Sequence, residues 1–310
     1  MMLKAKLTAK PRPKLKPKLG FLGTGLMGSP MTLRLLDAGY TIYIWNRSAK
    51  KIFPLLENDA IALDTPAAVT IESEIVFMCL TDANAVEQVV FGDNGVVKTG
   101  IENKILVDFS SISPVLTREY SERLESECGM GWVDAPVSGG VKGAEEGTLA
   151  ILAGGNTEAI ERVRPIVSNL CNRMTHMGHT GAGQVTKLCN QVIVASNLVT
   201  IAEAISLAER SGIDATKLHE ALAGGFGDSL PLQVFGPRFS KREVEPLLGH
   251  VYTMLKDVDS ARELGRETNT PLPMAAIAAE MFRQISSRGY AEEDVTHLIR
   301  LFEPTEDQIV

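Results

Sequence analysis

"KLGFLGTGLMGSPMTLRLL", residues 18–36, decides how the chain is read. Three glycines, Gly23, Gly25 and Gly28, stand at G-x-G-x-x-G spacing behind a short apolar run and ahead of an amphipathic one. Strand, glycine turn and helix form the arrangement that grips a dinucleotide. The first glycine permits the tight turn, the second lets the backbone approach the pyrophosphate, and the third lets helix pack closely on strand. The helix start, with Leu26 and Met27 in its opening turn, offers unpaired N–H groups and a positive dipole end to phosphates. Many turns satisfy this motif alone, so its surroundings must carry the reading.

About twenty residues on, the second β-type run "YTIYIW" (40–45) ends in Asn46, Arg47 and Ser48. An NAD site places Asp or Glu at this point to bind the ribose hydroxyls. A carboxylate would repel a 2′-phosphate, whereas Asn46 is neutral and Arg47 can pair with it. The pattern predicts NADP(H) preferred over NAD(H), the alternative being that Arg47 is a solvated loop residue.

Working outward, "KLGFLG" (18–23), "YTIYIW" (40–45), "EIVFMCL" (74–80), "KILVDFS" (104–110), "WVDAPV" (132–137) and "LAILAGG" (149–155) read as strands. Helical patterns separate most of them, which predicts a parallel sheet covered on both faces. Beyond "GHTGAGQ" (178–184) no strand is expected. A long Ala/Leu/Val-rich helix runs to about Ser211, followed by helices broken at Gly212, 224–231, 245–250 and 269–273. The expected organisation is a basic tail (1–18), an NADP-binding α/β Rossmann domain (19–182) and an all-α domain (183–310), joined by a long interdomain helix.

With 310 residues, 45% hydrophobic and 22% charged, the composition is that of an ordinary globular protein. Cys79, Cys128, Cys171 and Cys189 form no C-x-x-C pair, which fits a reducing compartment. The longest apolar stretch, Val192 to Ala208, is interrupted by Asn197, Thr200 and Glu203, so it reads as a buried helix and not a membrane span. Residues 1–18 carry seven basic side chains and no acid; against −7 overall, the remainder carries −14. That negative body argues against nucleic acid as a partner. The tail lacks the apolar segment of a secretion signal, and a cytoplasmic location is expected, with organellar targeting by the tail as the alternative. His176 and His179 lie three apart without a third ligand at suitable spacing, so no metal site is expected.

"GFLGTGLMGSPM" (20–31), "DAPVSGG" (134–140), "GAGQVTKLCNQ" (181–191) and Lys256–Asp257 occur in the order that characterises the β-hydroxyacid dehydrogenase family, which the chain resembles over roughly residues 18–300. That family includes 3-hydroxyisobutyrate dehydrogenase and the tartronate and succinic semialdehyde reductases. The resemblance implies a Rossmann domain followed by a helical one and a homodimer or homotetramer. It also implies hydride transfer between a small β-hydroxyacid and its semialdehyde. It places Ser138, Gly139 and Gly140 around the substrate carboxylate and hydroxyl, and makes Lys187 the catalytic lysine. Asn190 is the favoured amide anchor, with Gln191 beside it. Leu80, Thr81 and Asn84 would line the ribose side, Ser111 would approach the nicotinamide, and Lys256 would close on cofactor or substrate carboxylate.

The chemistry agrees with a lysine, because reduction of an aldehyde requires a proton for the developing alkoxide and an ammonium supplies both charge and proton. Segment 224–238 departs from the better-known subfamilies. Asp228, Ser229, Gln233 and Arg238 there could select the substrate, the arginine suggesting a second carboxylate, or could serve subunit packing. Two other readings share the architecture: an imine reductase-like enzyme, and a non-catalytic cofactor-binding module with a polyanion-binding tail. Lys187 argues against both.

Overall fold

The computed structural model describes residues 16–303; the tail expected at 1–18 therefore lies outside the described residues up to position 15. Its last part is not free of the fold. The Lys16 ammonium lies 4.6 Å from the Tyr40 ring centroid, and Lys18 pairs with Glu72 at 3.7 Å.

The apolar runs become strands β1 (Leu19–Leu22), β2 (Ile42–Trp45), β4 (Ile75–Met78), β5 (Ile105–Asp108), β6 (Gly131–Asp134) and β8 (Leu149–Gly155). Three further strands are β3 (Ile61–Ala62), β7 (Val137–Ser138) and β9 (Cys171–Gly178). Between them run α1 (Gly28–Asp37), α2 (Phe53–Leu56), α3 (Pro66–Glu72), α4 (Ala83–Phe91), α5 (Pro114–Cys128), α6 (Gly140–Glu146) and α7 (Thr157–Val167). The chain then turns wholly helical, with α8 (Ala182–Arg210), α9 (Leu218–Ala221), α10 (Leu230–Lys241), α11 (Val251–Glu267) and α12 (Pro273–Ile285).

The sheet order is β3-β2-β1-β4-β5-β6-β8-β7, with β9 also paired to β8. From β3 to β6 every pairing is parallel, and every residue of β1, β4 and β5 is buried, as strands covered on both faces must be. The register places Trp45, Leu22, Met78, Asp108 and Asp134 in one row across five strands. The residues that follow each of them therefore emerge along a single edge, the carboxyl end where open α/β sheets bind ligands. This half of the molecule is a Rossmann domain, and an all-α domain follows it.

The sheet is not parallel throughout. The run expected as one strand over 132–137 breaks at Ala135–Pro136 into β6 and β7, and both pair antiparallel with β8. Proline has no N–H for a ladder, but the Pro136 carbonyl still accepts from the Leu152 N–H at 3.0 Å. Strand β9 runs parallel on the other edge of β8 and was not anticipated. Its eight residues, CNRMTHMG, are half-buried or exposed with no fully buried position, so the apolar signal of a central strand is missing.

One core lies on each face of the sheet, and a third lies among the later helices. Helix α8 is long and apolar enough by length and composition to cross a membrane. Here its Ala195, Leu198, Ala202 and Ile205 are core residues, packed against α10, α11 and α12.

Candidate active site

The glycine loop joins β1 to α1 on the carboxyl edge. Gly23 has φ +93°, and a Cβ there would sit 2.4 Å from the Cys79 carbonyl oxygen. A Cβ on Gly28 would sit 2.0 Å from the Gly23 carbonyl oxygen. Packing therefore demands both. Nothing lies within 4 Å of the corresponding position at Gly25, so the loop is open in front of its middle glycine. Helix α1 has no capping side chain and no acid in its first turn, which leaves its positive end uncompensated at Leu26 and Met27. Thr24 is 2% exposed and its hydroxyl finds no partner in the protein. An open cradle, an uncompensated helix start and an orphaned hydroxyl together fit a dinucleotide pyrophosphate.

Asn46 follows β2 and braces this loop: its Oδ1 accepts from the Thr24 N–H at 3.0 Å and its Nδ2 donates to the Ser48 carbonyl at 2.9 Å. Arg47 and Ser48 are exposed, and Arg47 has no ion pair among the described residues. Lys50 and Lys51 follow in the next short turn. This corner is basic and carries no acid between Asn46 and Glu57.

Beyond β4, the Leu80 N–H donates to Ser110 Oγ at 2.9 Å, and the Ser110 N–H donates to Asp108 Oδ1 at 2.8 Å. Asp108 is fully buried; burial pushes its carboxyl up to about 7 against the hydrogen bonds from Ser110. Thr81 donates to Asp82, which caps α4, and Asn84 is exposed in the first turn of that helix. Ser111 is half-buried, and its carbonyl accepts from Lys256 Nζ at 3.1 Å.

The two lysines bring the domains together. Lys187, on the second turn of α8, donates from Nζ to the Val137 carbonyl at 3.0 Å. Burial pushes its ammonium below the ordinary lysine range; Asp257 works against that shift and Lys256 adds to it. Lys256 on α11 pairs with Asp257 at 3.4 Å. Asp257 is 4% exposed and accepts from Gln191 Nε2 at 2.8 Å, while Gln191 Oε1 accepts from Asn190 at 3.0 Å. Ser138 ends β7 next to Val137, and Gly139 (φ +132°) and Gly140 (φ +64°) carry the exposed loop into α6. Lys187 thus sits where the Val137–Gly140 loop, a helix of amides and a second cation converge. An ammonium held there can neutralise and protonate an oxygen that gains charge.

Of the residues named from sequence, Lys187, Asn190, Ser111 and Lys256 lie together here; Ser110 and Asp108 were not weighed. It left Gln191 and Asp257 without a firm place, although the i, i+4 spacing from Lys187 to Gln191 puts both on one helix face. Segment 224–238 corrects an expectation. Arg238 is 8% exposed and donates to Thr296, to the Glu245 and Pro246 carbonyls and to Asp294. Asp228 accepts from Gly224 and Gln233, and Ser229 caps α10. Arg238, the residue expected to meet a second carboxylate, is thus engaged by its own domain.

Comparison with known proteins follows the same two halves. Residues 18–178 match the family model described as the NAD binding domain of 6-phosphogluconate dehydrogenase. Residues 181–302 match that described as the NAD-binding domain of NADP-dependent 3-hydroxyisobutyrate dehydrogenase. The chain is 37% identical over 286 residues to 2-hydroxy-3-oxopropionate reductase of Escherichia coli, covering 92% of this chain and 97% of that one. It is 33% identical to 2-(hydroxymethyl)glutarate dehydrogenase of Eubacterium barkeri, covering 92% and 95%. The solved structure of Mycobacterium tuberculosis 3-hydroxyisobutyrate dehydrogenase with L-serine superposes with a TM-score of 0.85 at 26% identity, covering 94% and 100%.

Proposed function

The chain belongs to the 3-hydroxyisobutyrate (β-hydroxyacid) dehydrogenase family of NAD(P)-dependent oxidoreductases acting on small hydroxyacids and semialdehydes, and from that premise we propose that it is an NADPH-preferring reductase of a short carboxylate-bearing semialdehyde. One observation carries the reading: a half-buried Lys187 ammonium tied at 3.0 Å to the carbonyl of Val137, the residue before Ser138. Ser138 with the Gly139 and Gly140 backbone would hold the substrate carboxylate, since glycines let N–H groups crowd an anion. Asn190 would orient the substrate oxygen, and Lys187 would give it a proton. The Val137 carbonyl keeps Nζ facing that loop until substrate arrives.

Bound NADPH would supply the hydride. Gly23, Gly25, Leu26, Met27 and Gly28 would receive its pyrophosphate, and Arg47 with Ser48 its 2′-phosphate, while Asn46 shapes the loop from behind. Leu80, Thr81 and Asn84 would flank the ribose, and Ser111 and Lys256 would close over the nicotinamide side. Exposed Ile193 and Leu207 on α8 support self-association into a homodimer or homotetramer. The negative body argues against nucleic acid as a partner.

The test is oxidation of NADPH and NADH against tartronate, methylmalonate and succinic semialdehydes and glyoxylate, with Lys187→Ala and Arg47→Ala alongside. The expected result is NADPH-preferred turnover that collapses in Lys187→Ala. Arg47→Ala should raise the KM for NADPH about tenfold and leave that for NADH in place. Turnover that survives without Lys187, or reduction of cyclic imines in preference to every aldehyde, would overturn the reading. Tight NADPH binding with no turnover at all would favour the binding module.

A further inference from the structure

Helix α8 begins without a cap of its own. Gly181 stands at its N-cap with φ +90° and supplies no side chain, and its first turn holds no acid. A helix start leaves N–H groups in need of acceptors, and burial makes that need costly. The acceptor comes from another element. Asp134, the last residue of β6, takes the Gly181 N–H on Oδ1 at 2.8 Å and the Gln184 N–H on Oδ2 at 3.0 Å. The carboxylate is fully buried.

The surroundings are shaped to admit that carboxylate. A Cβ on Gly154 would lie 2.6 Å from Asp134 Oδ1, and one on Gly183 would lie 2.8 Å from Oδ2 and 2.3 Å from the Leu152 carbonyl oxygen. Each oxygen is thus enclosed by a glycine backbone. Two links leave this point. Along the strand, three residues after Asp134 comes Val137, whose carbonyl receives Lys187 Nζ. Along the helix, three residues after Gln184 comes Lys187 itself. Gln184 adds a second tie, donating to the Ser110 carbonyl at 2.7 Å and accepting from the Ile112 N–H at 3.3 Å.

We propose that Asp134 is a positioning residue: by capping α8 from the end of β6, it holds Lys187 in register with the substrate loop that begins immediately after it. The inference rests on the reading of Lys187 as proton donor. Asp134 is fully buried and acts through the helix. Burial holds its carboxyl above the ordinary carboxylate range, and the backbone donors of Gly181, Gln184 and Gly183 oppose that shift.

The experiment compares wild type, Asp134→Asn, Asp134→Ala and Lys187→Ala in the full chain. It reads kcat with tartronate semialdehyde, Kd for NADPH by fluorescence, and the acetylation rate of each lysine by competitive labelling with acetic anhydride. A misplacement of about 1 Å at a reacting group costs on the order of 10²-fold. Asp134→Ala should lose about that much in kcat, and Asp134→Asn, which keeps one acceptor, should recover part of it. NADPH Kd should stay within about twofold, because the glycine loop is built on β1 and α1. Acetylation of Lys187 should accelerate while that of Lys104, tied to the Thr70 and Ile71 carbonyls far along the chain, should not.

Wild-type kcat in Asp134→Ala would overturn the proposal, as would equal acceleration of Lys187 and Lys104, the mark of general loosening. If Lys187→Ala keeps full turnover, the donor assignment fails instead. The labelling of Lys187 still decides whether Asp134 holds it.

Discussion

Two of the glycine-rich loops, "GTGLMG" at 23–28 and "GGFG" at 224–227, are different objects. In the first, Gly23 and Gly28 face backbone at 2.4 and 2.0 Å, distances no side chain survives, while Gly25 alone looks onto open space. In the second, a Cβ on Gly224 would meet nothing within 4 Å and one on Gly227 only a Leu222 methyl at 4.0 Å. There the loop is shaped by a polar brace, Asp228 accepting from the Gly224 N–H at 2.7 Å and from Gln233 at 2.6 Å, and Phe226 stands wholly exposed at its tip. A run of glycines thus says little until its neighbours are known. Contacts demand glycine at Gly23 and Gly28, where strand, loop and helix converge; in the second loop only backbone conformation asks for it, at Gly224 with φ +73°, and Gly227 is merely tolerated.

The sharpest way to break this contrast is Gly28→Ala. The added methyl must displace the Gly23 carbonyl, so a loss of about 4 kcal/mol or more in urea unfolding is expected, together with loss of NADPH binding. Near-normal stability and binding would show that the first loop is as permissive as the second.

Next in size is a buried acid of the same domain, Asp108 at the end of β5, for which the second loop has no counterpart. Asp108 titrates at about 7 instead of 3.8, so the folded state holds its proton more tightly than the unfolded one. The favourable contribution is full below pH 3.8, fades between 3.8 and about 7, and is gone above. The shift corresponds to about 4 kcal/mol, and an unpartnered amide N–H₂ in Asp108→Asn returns about 1–3 kcal/mol of that. At pH 8 the variant should therefore be more stable than wild type by about 1–3 kcal/mol, and at pH 4 it should have no advantage. Equal differences at both pH values would remove the buried acid from the comparison.

In the second loop, Ser229→Ala removes the acceptor for the Leu232 N–H and should cost about 1 kcal/mol, with NADPH Kd unchanged. Smallest of all, Gly227→Ala should move stability by no more than about 0.5 kcal/mol and leave turnover untouched. A large loss of turnover there would give the second loop a role its contacts do not show.

Much of the fold was legible because its signals are local. The buried strands around Leu19, Ile75 and Ile105 are unbroken apolar runs, and the Ala/Leu/Val-rich run expected to end at about Ser211 is α8, which ends at Arg210. Strand β9 was not legible, since an edge strand with exposed Asn172 and Arg173 on it looks like a loop. The break between β6 and β7 was hidden in a run that reads as continuous, although Pro136 marks it. At the candidate site, Lys187 could be picked out by the company it keeps in sequence. The places of Asp134 and Arg238 could not, because Asp134 bonds residues 47 and 50 positions away and Arg238 residues 56 and 58 away. Arg238 shows the cost of reading charge without partners: a buried guanidinium already paired with Asp294 resembles, in one dimension, an arginine waiting for a substrate.

Helix α8 is a single uninterrupted rod of 29 residues, fixed at one end to the sheet and carrying the other helices along its length. At 1.5 Å per residue it is about 43 Å long. Treated as a lever pivoting at its first turn, a tilt of about 5° sweeps the far end through about 4 Å but moves Lys187, near the pivot, by less than about 1 Å. Lys187 is therefore among the residues of the rod whose place depends least on the angle between its two ends. A side chain farther along would be displaced more by the same tilt.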